Sequence, residues 1–515
     1  MKDYLRMVLD HNESVQAQML GTEADRRKYC AELGIFEPNL VGNLSRVGNH
    51  RQNNNEQTVS QSGAPEFIER NNVFDTGLES LLPTGGKIHF GYAISDLGNT
   101  LTPTPTGFGT VATTGSFSNQ WQTFVGATLN QPLLKHAGFD ATFGKIRLAS
   151  LQSDIGFQQY RKELMLAVSR AENAYWTLYF TQEQLQFADE SLHLAQSVLD
   201  DGKAKFDAGK GPELDVLEGR AGLAKAETIK NVALEKYSDA ISMLYTLCGS
   251  RPDPTRPQLR AIDHPDCVEV PLSFAESYQT SFELNPEYLS QKKKVDVEAV
   301  RLGIKRNLML PEVNAKAAYG YNGLGTYPYE TSPHGSWGAI RSQNFPAWSI
   351  GLEVNVPLFG GITERNEFSA AKLTLKQEQK NLEGITTTLS NSLNNTIQKN
   401  RSILGTVHDF EGVVQAREEL VKNTLAELQA GKIEARRVLE ESKDLFEARE
   451  SLAEAQVRYQ SSLLELQLAE GSILKRRNLE ITRKELRAKT IAMIKNGAFA
   501  PVAPQPVVAK KPAAK

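Results

Sequence analysis

Between Phe139 and Asp207, and again between Gly361 and Gln429, apolar residues recur in steps of three and four with no proline to interrupt them. Val168, Ala171, Tyr175 and Leu178 form one such stripe; Leu185, Ala188, Leu192, Ala195 and Leu199 continue it after a shift of register. A narrow stripe with a period near 3.5 residues predicts a coiled coil. At about 1.5 Å per residue, ~69 helical residues extend roughly 100 Å. The helix predicted after Val438 repeats the theme with Leu445, Ala448, Leu452, Ala455 and Tyr459, and Ala beside Leu permits close helix approach. Over 386–402 the second long helix is neutral-polar, from Thr386-Thr387-Thr388 to Asn394-Asn395-Thr396 and Gln398. That face suits the lining of a wet lumen or the exterior of a solvated coil equally well.

A second periodicity, of two, appears elsewhere. Trp348, Ile350, Leu352, Val354 and Val356 alternate with Ser349, Gly351, Glu353 and Asn355; Val313, Ala315, Ala317, Tyr319 and Tyr321 do the same with their neighbours. Thr123, Val125, Ala127 and Leu129 alternate after Trp121, and Trp121 and Trp348 both open their strands beside a long polar loop, where an aromatic girdle would lie. About ten residues of such alternation is the length and pattern of a transmembrane β-strand, although a half-buried strand in a soluble sheet reads alike. Ile88, Phe90, Tyr92 and Ile94 share one face beyond Pro83-Thr84-Gly85-Gly86, a hairpin turn between Asn72–Leu82 and Lys87–Asp96. Four strands are clear and six are the most the chain offers. Neither number closes a barrel, and an open sheet edge is not tolerated in hydrocarbon, so membrane-spanning strands would have to be pooled among several copies.

The chain is written twice. Ala208-Gly209-Lys210 followed by Val216-Leu217-Glu218 recurs as Ala430-Gly431-Lys432 followed by Val438-Leu439-Glu440, an offset of 222. Asn130-Gln131-Pro132-Leu133-Leu134 returns as Asn355-Val356-Pro357-Leu358-Phe359 at 225, and Asn12 and Pro38 return as Asn285 and Pro311 at 273. Landmarks that keep their order while the offset drifts are the mark of duplication with insertions. The first repeat is read as residues 1–248, with a short helix, strands over about 38–132 and long helices over about 139–248. A Pro-rich connector fills 249–272. The second repeat covers 273–475, with strands over about 311–357 and long helices over about 361–475, and 476–515 holds a C-terminal helix and a Pro/Ala/Lys tail expected to be disordered. The first copy spends 94 residues between its prolines against 46 in the second, which places the surplus 48 around the hairpin.

Composition removes several classes of function. A net charge of −3 gives no electrostatic reason to expect nucleic acid. Cys30, Cys248 and Cys267 are too scattered for a disulfide framework or zinc cluster, only Cys248 and Cys267 being near enough in sequence to pair, and eight dispersed histidines show no ligand spacing. No phosphate loop, Gly-x-Ser-x-Gly or His-Glu-x-x-His is present, so no cofactor, metal or catalytic residue is expected. No run approaches the ~18 apolar residues of a membrane helix. Met1-Lys2-Asp3-Tyr4-Leu5-Arg6 carries no apolar signal segment, which suits a cytoplasmic protein and equally a mature or recombinant chain.

The duplicated order of short helix, strands and paired long helices closely resembles the TolC-like outer-membrane efflux family over residues 1 to about 475. Its most specific carriers are Leu129-Asn130-Gln131-Pro132-Leu133-Leu134, Val354-Asn355-Val356-Pro357-Leu358-Phe359-Gly360-Gly361, and Ala208-Gly209 with Leu214-Asp215-Val216-Leu217. The resemblance implies a mostly α protein with membrane β: an internally duplicated protomer of a trimeric channel, whose three protomers pool a twelve-stranded barrel continued by a periplasmic helical barrel. The extra hairpin near 72–96 departs from that pattern: joined to the barrel it would make eighteen strands in a trimer and a wider lumen, and otherwise it would fold over the barrel mouth. The resemblance makes Pro38, Pro132, Pro311 and Pro357 strand-to-helix crossings. Gly209, Lys210, Asp215, Gly431 and Lys432 then fall at the periplasmic tip, against a periplasmic adaptor that links the channel to an inner-membrane transporter. Glu440 fits a position of the charged gate ring in relatives, while Arg437 stands where aspartate is common, and the two could instead pair with each other at i,i+3. The function implied is a passive exit duct of a tripartite efflux pump or type I secretion system in a Gram-negative-type outer membrane. The competing reading, a soluble coiled-coil scaffold, leaves the alternating strands and their prolines unexplained. An enzyme with a cleft between the two copies has no constellation to support it.

Overall fold

The computed structural model describes residues 1–60, 65–100, 105–106, 110–111, 118–209, 212–249, 259–325, 332–358, 361–430 and 432–495. Strands of ten residues or more are β1 Asn39–Gln52, β2 Glu66–Leu81, β3 Lys87–Asn99, β4 Ser118–Pro132, β5 Glu312–Gly325 and β6 Pro346–Asn355. Helices of eight residues or more are α1 Lys2–His11, α2 Glu13–Leu33, α3 Gly144–Asp207, α4 Glu213–Leu247, α5 Phe274–Leu284 and α6 Pro286–Leu308. They continue with α7 Pro333–Arg341, α8 Ile362–Gln429, α9 Ala435–Glu470 and α10 Arg483–Lys495. Contacts divide the chain into a helical unit (Met1–Asp25, Ser153–Lys294, Gln379–Lys515) and a sheet unit (Arg26–Gln152, Val295–Glu378).

In the helical unit the stripe seen in the sequence is the core. Val168, Ala171 and Leu178 are within 1% of full burial and pack with Leu5, Val8 and Ile473. Most polar residues of 386–402 lie outward: Thr387, Asn391, Asn395 and Gln398 are exposed while Leu389, Leu393 and Ile397 are buried, and with them Thr396 and Asn400, whose Nδ2 donates to Ser462 Oγ at 2.8 Å. On α4 the buried Gly219, Ala226, Ala233 and Ala240 recur every seventh residue, a small-residue seam that lets a neighbouring helix come close. The described part of the connector forms neither helix nor ladder, and side chains satisfy part of its backbone instead. Tyr175 Oη accepts the N–H groups of Ile262 and Asp263 at 3.0 and 3.1 Å. Tyr237 and Tyr459 hydroxyls donate to the carbonyls of Leu259 and Val268. No disulfide joins Cys248 to Cys267: the first is buried in the main core and the second packs against the separate cluster around Val407 and Tyr459.

Asn12 and Asn285 show how the repeat is used. Asn12 Oδ1 accepts the N–H groups of Ser14 and Val15 at the start of α2, and its Nδ2 donates to Leu247 O. Asn285 Oδ1 accepts from Glu287 and Tyr288 at the start of α6, and its Nδ2 donates to Ala469 O. Both cap a helix start whose first N–H groups have no partner within the helix.

The sheet unit is one antiparallel sheet in the order β1-β2-β3-β4-β5-β6. The resemblance implies four strands per protomer, and the sheet has six. The surplus hairpin is β2–β3, seated inside the sheet, and β1 is a strand that the alternation pattern did not single out. Across the sheet Leu40, Leu78, Phe90, Ala127, Tyr319 and Trp348 are opposed in succession, an apolar row through all six strands. Leu44, Tyr92, Val125, Ile350 and Leu352 extend that face, whereas the other carries the Lys316–Glu353 ion pair at 2.6 Å, Asp75, Glu79 and Lys87. The apolar face is bare: Leu40 is 79%, Trp348 72% and Ile350 80% exposed. At the end of the sheet away from the prolines, α7 lies on this same face, Trp337 stacked on Tyr92 at 4.8 Å and Thr123 Oγ1 within 3.4 Å of Ser336 O.

The four prolines all bound strands at one end. Pro38 precedes β1, Pro132 closes β4, Pro311 precedes β5 and Pro357 stands two residues after β6. Without an N–H, proline ends a ladder cleanly. Beyond Pro132 the chain is held by Leu133 N–H on Val313 O at 2.8 Å and by Asn307 Oδ1 on His136 N–H at 2.7 Å.

Candidate functional site: the helical tip and its arginine clasps

The long helices reverse twice, between α3 and α4 and between α8 and α9. Gly209, at φ +70°, takes the left-handed conformation that ends α3, its N–H on Phe206 O at 2.9 Å. Lys432 N–H returns to Glu427 O at the end of α8. Lys210 and Gly431 lie outside the described residues. Glu213 and Asp215 stand in the first turn of α4, where carboxylates favour the positive end of the helix dipole. The two turns are fastened together: Lys205 Nζ donates to Leu428 O at 2.9 Å, and Val198, Leu428 and Val438 form a small core. Beside it Phe206, Leu214 and Leu217 project into water, 45%, 57% and 54% exposed. A groove of about 310 Å³ runs between α3, α4 and α9, lined by Ala195, Glu218, Gly222, Leu439, Glu440 and Phe446.

The charges above the second turn differ from the sequence expectation. Arg437 does not pair with Glu440. Its guanidinium donates to Glu441 at 2.6 Å, one helical turn on, while Glu440 pairs with Arg436 at 2.9 Å. Steps of four bring side chains onto one face with the better geometry for an arginine. Arg436–Glu440 is exposed on both sides and worth little to stability; the bond to Glu440 and that charge hold the Arg436 pKa above its ordinary value. Glu441 is the residue the sequence concealed. It is 4% exposed and takes a second arginine, Arg417 of α8, at 2.8 Å. Arg417 also reaches Asp444 at 3.0 Å.

A second clasp lies further along. Arg449 of α9 donates to Glu190 of α3 and to Glu418 of α8, both at 2.6 Å, with Phe187 beneath its guanidinium at 5.5 Å. Burial acts to lower the Arg449 pKa, but the bonds and charges of Glu418 and Glu190 outweigh it, and the net shift is upward. Three helices are thereby joined through one side chain. Nothing in the sequence separates these carboxylates from the many on solvated helix faces. The signal available was only that Glu441 falls on the buried stripe three residues after Val438.

This arrangement binds helices to one another and gathers no catalytic group. Among the described residues no cluster of histidine, cysteine and carboxylate could hold a metal ion, and no helix is long and apolar enough to cross a membrane. A duplicated chain with membrane-type strands and clasped coiled-coil tips is the protomer of a channel. The outer membrane efflux protein family matches residues 101–250 and 278–472, more than half of the chain, and the chain belongs to that family. It is similar to the proteases secretion protein PrtF of Dickeya chrysanthemi, 22% identical over 67% of this chain and 72% of that one. It is also similar to the outer membrane efflux protein BepC of Brucella suis biovar 1 (strain 1330), 23% identical over 46% and 47%. The Campylobacter jejuni CmeC outer membrane channel shares the fold at a TM-score of 0.63 and 14% identity, over 95% of this chain and 88% of that one. The protein is an outer-membrane exit duct for efflux or secretion. A soluble scaffold has no use for a sheet with one face bare and apolar.

Proposed function

We propose that three copies of the chain assemble into the duct, that it conducts passively without catalysis, and that it closes at the helical tip. The observation that carries this is the apolar row running unbroken through six strands, with polar residues opposite and, among the described residues, both sheet edges unpaired. Such a face is stable only against hydrocarbon, and such edges only against another copy. The sheet then stands in the outer membrane of a Gram-negative-type cell, with the helices in the periplasm. The groove between α3, α4 and α9, with Leu214 and Leu217 beside Asp215, offers a periplasmic adaptor a seat, with Gly209 and Lys432 at the ends of α3 and α8 as further contacts. Through that adaptor an inner-membrane transporter would choose the cargo. Closure rests on the Glu441 and Arg449 clasps rather than on a ring at Glu440, because only the former tie separate helices together.

Extraction tests the reading. The protein is expected to leave membranes only with detergent and to run as a heat-sensitive oligomer of three chains. A monomer that stays in solution without detergent would overturn it.

A further inference from the structure

We infer that the assembled barrel has eighteen strands, six from each of three copies, and that the β2–β3 hairpin is part of its wall. This rests on the trimeric channel proposed above but not on the strand number its resemblance implies.

Register is the first ground. The hairpin is inserted between β1 and β4 with thirteen consecutive pairings on its β4 side, from Lys87–Asn130 to Asn99–Ser118. Its outward residues Phe74, Leu78, Ile88 and Phe90 continue the band of the duplicated strands. Folded over the barrel mouth, the hairpin would carry those side chains into water and give up its pairings with β1 and β4. Parity is the second ground. Six antiparallel strands leave β1 and β6 running in opposite directions, so β6 of one copy can pair antiparallel with β1 of the next. Leu40 and Leu44 then share an outer face with Val354 and Ile350, and the ring closes with no parallel seam.

The third ground is a glycine row on the polar face. Gly77, Gly91, Gly126 and Gly320 are opposed in succession across β2, β3, β4 and β5. A Cβ at Gly77 would stand 2.6 Å from Phe90 O, and one at Gly126 2.6 Å from Tyr319 O and 2.9 Å from Gly320 Cα. The rings of His89 and Phe124 occupy the furrow, within 2.7 Å of the Cβ positions at Gly77 and 2.6 Å at Gly126. Glycines in register are how a strand bends at a barrel corner, and removing Cβ atoms from one face lets the sheet close toward that face. The polar face is therefore the inner one. The same furrow crosses the inserted strands and the duplicated ones, so all of them curve as a single wall.

Barrel diameter grows about linearly with strand number, and barrels of sixteen to eighteen strands enclose an aqueous channel. The membrane part of this duct is accordingly wider than its resemblance implies, and restriction of cargo falls to the helical tip.

Single-particle imaging of the detergent-purified oligomer counts the strands directly. Eighteen strands around three copies is the expected result. A trimer with twelve strands and the hairpin outside the wall would overturn the inference and leave the channel reading standing. An assembly of any other copy number would overturn the channel reading itself. In whole membranes, with Cys30, Cys248 and Cys267 replaced by alanine, the F90C/A127C double variant, whose positions are opposed between β3 and β4, is expected to lose thiol alkylation after oxidation. Each single variant should stay reactive. Full reactivity of the double variant, in an oligomer that still assembles, would place the hairpin elsewhere.

Discussion

Glu172 has no exposed surface, and its two oxygens take the Arg477 Nε and Nη2 at 2.6 and 2.8 Å, a bidentate pair between residues 305 apart in sequence. Removing one partner of such a pair leaves a charge buried and uncompensated, at a cost of about 3–5 kcal/mol. Arg477→Met should therefore lower the unfolding midpoint of the detergent-solubilised protein sharply. Arg477→Lys should recover only part of the loss, since an ammonium cannot fork. An unchanged midpoint for both would show that Glu172 is solvated through another route. Glu183 makes a pH-dependent case on the same helix. Burial raises its pKa, with His264 opposing the rise and Glu190 adding to it. A carboxyl whose folded pKa lies above its unfolded one favours folding below the unfolded value and loses that contribution as pH rises through the folded one. Glu183→Gln is thus expected to raise the unfolding temperature at neutral pH and leave it unchanged in acid. Residues of this kind were not legible in the sequence: a glutamate on a charged helix is the same letter whether it meets water or an arginine. Asn12 and Asn285 were legible, because repetition 273 residues apart marked them before their bonds were known.

At the level of elements, proline and glycine marked the boundaries well. The second long helix was expected over Gly361–Gln429 and spans Ile362–Gln429; the first was expected from Phe139 and, after a four-residue turn of helix, runs Gly144–Asp207. Strands β5 and β6 read plainly because every second residue is large and apolar. Strand β1 did not, since its outward positions run Leu40, Gly42, Leu44 and Arg46, and two leucines four apart suit a helix as well as a strand. Helix α7 went unforeseen for a related reason: nine residues with glycine at 335 and 338 carry too little periodicity to register. Where alternation was clear it also fixes the faces, and that can be tested with neighbouring residues. A Lys at the midplane of a lipid-facing strand costs ~2–4 kcal/mol, while a lumen-facing position tolerates it. Ile350→Lys should abolish the heat-sensitive oligomer in membranes, and Ser349→Lys, one residue earlier on the opposite face, should leave it intact. The reverse order would invert the sheet.

For the whole molecule, the duplication explains why one chain carries two kinds of helical tip. The α3–α4 turn is joined to its neighbours by small apolar contacts, Gly219 against Leu199 and Gly222 against Leu439. The α8–α9 turn is joined by charge, through Arg417 of α8 on Glu441 of α9, which Arg437 of α9 also holds. Apolar contacts between helices survive sliding, whereas a buried carboxylate between two arginines has one good arrangement and becomes costly once it is lost. Opening of the duct is therefore expected at the charged pair. In the Arg417→Ala/Arg437→Ala double variant Glu441 keeps its burial but loses both partners, and it can regain hydration only if α8 and α9 separate. Single-channel conductance in planar bilayers should rise well above the parent, with the trimer still assembled. Glu440→Gln removes only an exposed pair and should conduct as the parent does. Should Glu440→Gln change the conductance and the double arginine variant not, the gate would be a ring of charge around the axis, as the resemblance implied, and the Glu441 clasp would be a fastening with no part in opening.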